Sequence, residues 1–181
     1  TERFLQNDNL FSMSGNDEYQ EENSIENFAY LIDSQDEEKV REIIRRGDEF
    51  KGFPPLFIAG MHTNGTWVLE KFGTKDNLSE GCPSKLTDLA EHLSLDVDPD
   101  ILADYGFTPL MLAVMFGPPK SVETILNKVG KDGIKKETNK NYTASQFANC
   151  RNDDSIKKYF QVVNSYHSRQ FQYKLISPTF V

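Results

Sequence analysis

Hydrophobic positions in this 181-residue chain recur with a helical period in short blocks, each closed by glycine or proline. The clearest block runs from Asp104 to Gly130, DYGFTPLMLAVMFGPPKSVETILNKVG. Leu110, Ala113 and Val114 fall at i, i+3 and i+4, which predicts one apolar helix face, and the small Ala113 lets a neighbouring helix come close. Thr108 stands where a side chain caps the helix. Pro109 suits the first helical position, because the N–H it lacks has no partner there. Gly117-Pro118-Pro119 stops the helix. A second begins at Ser121 with Val122, Ile125 and Leu126 on one side, and Gly130 ends it as a C-terminal glycine does. Such a pair has too little surface for a core of its own and must stack on others.

Three further blocks follow the same plan. In residues 24–47, aligning Val40 with Val122 brings Phe28 under Leu110 and Leu31 under Ala113. Asp36, Glu37 and Glu38 open its second helix and Arg45 and Arg46 close it, as the helix dipole favours. In residues 50–73, Leu56, Ala59 and Val68 repeat the spacing of Leu110, Ala113 and Val122, with Pro54 at the place of Thr108. Thr143 opens a fourth block, and residues 155–163 supply its second helix through Ile156, Tyr159, Phe160 and Val163. Residues 74–103 break the period. They read as a helical insertion with Leu86, Leu89, Ala90 and Leu93 on one face. The acids of Asp96 to Asp100 lack the glycine and closing glutamate of a calcium loop and read as a turn. In the tail, residues 166–181, Phe171, Tyr173 and Leu175 alternate, which suggests a short strand or a capping strap.

The run Thr108-Pro109-Leu110-Met111-Leu112-Ala113 resembles the T-P-L-H-x-A signature of ankyrin repeats, with Met111 at the histidine position. Residues 52–59 and 143–148 resemble it more loosely. The resemblance implies an all-α fold: an ankyrin-repeat solenoid of about four helix pairs with short β-hairpin-like loops. It sets a repeat domain at 24–165, interrupted by the insertion at 74–103. An acidic segment, 1–23, precedes it and the capping tail, 166–181, follows. It further implies a non-enzymatic module that binds a short linear peptide of a partner protein on an aromatic concave face. Partners of the family meet the turn before Thr-Pro and the exposed end of the first helix. By that resemblance the contacts are Tyr105, Phe107, Met115 and Phe116 in the clearest block. The block before it offers Phe50, Lys51, Phe53, Met61 and His62, and the block after it Lys140, Tyr142, Cys150 and Arg151. Aromatic residues and methionine in such numbers suit the centre of an interface. The alternative is a regulatory or scaffolding ankyrin domain of a larger protein whose active domain lies elsewhere.

Charge changes the picture at one end. The chain carries a formal −8, and residues 1–38 alone hold eleven acids against Arg3, so the remainder is close to neutral. No clustered basic face suits nucleic acid, and no apolar run approaches the roughly 20 residues that span a bilayer. Within the acidic segment, Phe4, Leu5, Leu10 and Phe11 are anchors that a solvated tail does not need. Met13-Ser14-Gly15-Asn16 reads as an ordinary polypeptide start, so residues 1–12 are read as a bound or fused peptide on the concave face, or else as a native extension. Cys82 and Cys150 make neither a ligand spacing nor a disulfide framework, pointing to a reducing, cytoplasmic or nuclear compartment. His62, His92 and His167 fall in no catalytic or metal-binding pattern. The expectation is therefore no enzyme activity, no cofactor and no metal, in a monomer or a heteromeric complex.

Overall fold

The computed structural model describes residues 23–160, and all regular structure among them is helical. Helices α1 (Ile25–Asp33) and α2 (Glu37–Arg46) form the first pair, and α3 (Pro55–Met61) and α4 (Thr66–Phe72) the second. The short α5 (Thr87–His92) and α6 (Pro99–Leu102) follow. Then come α7 (Pro109–Phe116) with α8 (Pro119–Ile134), and α9 (Ala144–Arg151) with α10 (Asp154–Lys157). Helix α3 packs on α7 across the whole intervening segment, with α1 on one side and α9 on the other. In the second row α4 packs on α8, and α8 on α10.

Local chemistry sets the helix starts. The Thr108 hydroxyl accepts from the Met111 N–H, with Pro109 at the first helical position. Thr143 makes a reciprocal capping box with Gln146. Ser24 and Asp36 cap α1 and α2 through the Asn27 and Lys39 N–H groups. Pro54, lacking a hydroxyl, gives α3 no side-chain cap. Gly130 takes φ 65° and breaks α8 where its glycine predicts an end, and a further helical turn follows it. Helix α10 is shorter than the block 155–163, whose last three residues lie outside the described ones.

Helix ends are also closed from neighbouring pairs. The Trp67 indole N–H donates to the Ile32 carbonyl at 3.1 Å. The Lys128 ammonium donates to Glu70 and Gly73 carbonyls at 2.7 and 2.6 Å. The Arg151 guanidinium donates to Val114 and Gly117 carbonyls, at 3.1 and 2.6 Å, at the end of α7. These carbonyls lie at helix ends, where the regular intrahelical ladder runs out, and each bond joins one pair to the next. Arg151→Ala removes two charge-assisted bonds and is expected to cost about 1–3 kcal/mol in urea unfolding. Arg151→Met keeps most of the side-chain packing and should lose nearly as much; full recovery would assign the effect to packing instead.

The insertion begins later than the periodicity suggests. Cys82 pairs antiparallel with Phe107: the Cys82 N–H donates to Phe107 O and the Gly106 N–H to Cys82 O, both at 2.7 Å. Residues 83–106 therefore leave and return at one point, while residues 75–79 form turns within the connection from α4. Asp98 caps α6 through the Asp100 N–H, so the acid-rich stretch starts a helical turn. No described helix is long and apolar enough to cross a membrane.

Candidate functional site

The turns before α3, α7 and α9 lie in one row, and the start of the insertion fills the gap between the first two. The Cys82 thiol and the Ser84 hydroxyl both donate to Gly52 O, at 3.1 and 3.0 Å. Next along the row, the Asn139 N–H donates to Tyr105 O, and Asp104 Oδ1 accepts from the Tyr105 and Lys140 N–H groups. Asp104 is fully buried, and its Oδ2 accepts no hydrogen bond among the described residues. Gly52 at φ 81° and Gly106 at φ 85° adopt the left-handed backbone that these turns require.

Most of the aromatic and methionine residues expected to line a concave face are core. Phe50, Phe53, Met61, Phe107, Met115, Phe116 and Tyr142 are all buried. Phe50 stacks on Phe28 at 5.0 Å, and Phe53 meets the Phe57 ring edge-on at 5.6 Å. Phe107 and Tyr142 close on Phe147 at 6.0 and 5.8 Å. These side chains are taken up in the hydrophobic core, and the expectation of an open aromatic trough fails on all seven. Arg151 is half-buried and occupied as a cap, and desolvation lowers its pKa. The half-buried His62 lies 3.6 Å from Asp33, and its Nδ1 accepts from the Asn64 N–H.

Two expected contacts stay accessible. Tyr105 is 42 % exposed on the middle turn, and Lys51, at φ 52°, is exposed on the turn before α3. Tyr30 on α1, 67 % exposed, has no counterpart in the repeat comparison, where Leu112 occupies its place. Phe4, Leu5, Leu10 and Phe11, and the tail 166–181, lie outside the described residues.

Asp100 ties the insertion to the last turn. Its carboxylate accepts from the Lys140 ammonium at 2.6 Å and from the Tyr142 hydroxyl at 3.1 Å. The Lys140 bond first, then that of Tyr142, holds this carboxyl below its usual pKa. Hydrogen bonds from Ser155 do the same for Asp153. A carboxyl depressed in the fold contributes stability that is complete above its unfolded pKa, about 3.9, and is lost as pH falls through the folded value. The melting temperature is expected to fall as the pH drops below about 5 and through the depressed folded values, and Asp100→Asn to flatten part of that fall. An unchanged acid limb would show the tie contributes nothing.

On the opposite side, Gln35, Glu37, Trp67, Glu70 and Lys71 line an open cleft of ≈ 420 Å³. Glu37 accepts from both Arg41 and Lys71, and the Arg41 guanidinium sits 5.8 Å over the Phe72 ring. The charges of this cleft are thus largely paired with one another. Among the described residues no group of three metal-ligating side chains gathers. Compared with family models, with curated proteins and with solved structures, the chain gave no match in any of the three.

Proposed function

We propose that the chain is a non-enzymatic protein-binding module of the ankyrin type, which captures a segment of a partner protein along its row of turns. The observation that carries this reading is the two-row stack of helix pairs, in which successive turns are locked edge to edge. A stack of this kind gives rigid turns at a fixed spacing, and rigid turns present side chains at little entropic cost on binding. Tyr105 is the anchor, an amphipathic ring with two torsions to fix, and the exposed Lys51 supplies charge on the turn before α3. The buried aromatic side chains hold the turns and do not touch the partner.

The test is selection of 12-residue peptides from a displayed library, followed by calorimetric titration of the best binder. Tyr105→Ala is expected to weaken binding at least tenfold, about 1.4 kcal/mol, while leaving the melting temperature unchanged. Failure to select a saturable binder, or equal affinity for the Tyr105→Ala chain, would overturn this assignment.

A further inference from the structure

In α4, Val68 and Leu69 turn into the core, so Trp67, Glu70 and Lys71, at i, i+3 and i+4, share the opposite face. Trp67 is half-buried and its ring is held in place. The indole N–H donates to the Ile32 carbonyl, and the ring meets that of Phe72 edge-on at 6.4 Å. The Phe72 ring carries a cation of the chain itself. Arg41 lies 5.8 Å over it and donates to Glu37, which also accepts from Lys71. One guanidinium thus takes an aromatic face and a carboxylate together, a pairing that its planar, weakly hydrated fork favours.

The cleft of Gln35, Glu37, Trp67, Glu70 and Lys71 presents the neighbouring ring and a second carboxylate. Glu70 is exposed, and its carboxylate makes no hydrogen bond or ion pair among the described residues. The cations around it are committed elsewhere. Lys71 and Arg41 bond Glu37, Lys120 bonds Glu123, and Lys128 bonds the Glu70 and Gly73 carbonyls. Glu70 reaches Lys120 only through its field, a minor cause beside Glu123 of the raised pKa of that lysine. Indole offers a cation the strongest aromatic face among side chains, and Glu70 stands one helical turn from it. Because the Trp67 ring is fixed beforehand, little order is lost when a flat cation stacks on it.

We infer that this cleft is a second binding site, one that takes an arginine side chain of a partner protein, its guanidinium over the Trp67 ring and its fork on Glu70. The inference extends the reading of the chain as a protein-binding module to another surface. Its test uses neither Tyr105 nor a selected peptide, so either assignment can fail alone.

Trp67 is the single tryptophan of the chain, so its indole N–H gives one nuclear magnetic resonance signal that reports on this cleft. N-acetyl-arginine amide is titrated into the isotope-labelled full chain at constant ionic strength. A saturable shift of that signal is expected, with a dissociation constant of about 1–10 mM for one side chain. The citrulline amide, alike in shape but uncharged, should leave the signal in place. The lysine amide should bind at least about threefold more weakly, because a compact ammonium lacks the flat fork. Glu70→Gln should weaken the arginine probe at least about tenfold, while Glu91→Gln, the same change of charge on α5, should leave its affinity unaltered. Both positions are exposed, so neither change disturbs the core. No saturable shift, an equal shift with citrulline, or equal affinity for the Glu70→Gln chain overturns the inference. A lysine probe as tight as the arginine one overturns the choice of a guanidinium.

Discussion

Replacing Phe107 by alanine should lower the unfolding free energy by about 3–5 kcal/mol, the range for a large aromatic deleted from a closed core. Phe107 has no exposed surface, lies 6.0 Å from the Phe147 ring, and donates and receives nothing through its side chain. Its backbone, though, closes the pair with Cys82 at the root of the insertion. A cavity there therefore loosens two junctions together, the packing of α7 on α9 and the return of the inserted segment. Urea unfolding measures the loss directly. A surface residue whose task is to touch a partner would change stability by no more than about 0.5 kcal/mol. The two roles thus differ several-fold in one experiment.

Gly117→Ala is the second large effect, and its cause is backbone approach. A Cβ at Gly117 would lie 2.0 Å from the Gly60 carbonyl oxygen and 2.9 Å from that of Ala113. Its φ of −88° is ordinary for any residue, so conformational freedom is not at issue. No side chain can rotate aside, and α3 and α7 must separate. The expected cost is about 3 kcal/mol, the upper end for overpacking. Gly60→Ala is the control at the same crossing. Its Cβ would meet Ala113 Cβ at 3.5 Å, an ordinary contact, and helix propensity favours alanine by up to about 1 kcal/mol. Near-equal effects of the two changes would mean that the helices do not cross as described.

Much of the helix order was legible because its signals are local. Thr108 and Thr143 cap their helices, Gly117-Pro118-Pro119 and Gly47 end theirs, and the spacing from Leu56 to Val68 marks the same unit as Leu110 to Val122. The edges of the insertion were not legible. They depend on a backbone pairing between Cys82 and Phe107, to which neither side chain contributes a pattern. The site was read least well, and one overlooked signal was present. Pro109 to Phe116 is apolar on every side, which in a helix means burial all round, not an exposed groove. Asp104 was missed as the link between turns because its partners are N–H groups, one of them 36 residues away.

Thiol accessibility tests most directly whether the inner side of the helix row is closed in the resting molecule. Leu112→Cys, Met115→Cys and Tyr105→Cys are introduced singly into the full chain with Cys82 and Cys150 replaced, and their labelling rates are compared under native conditions. With the face covered, Leu112→Cys and Met115→Cys should react at least about a hundredfold more slowly than Tyr105→Cys, their labelling limited by transient opening. Rates within a few-fold of Tyr105→Cys in a cooperatively folded chain would show an open groove and contradict the account.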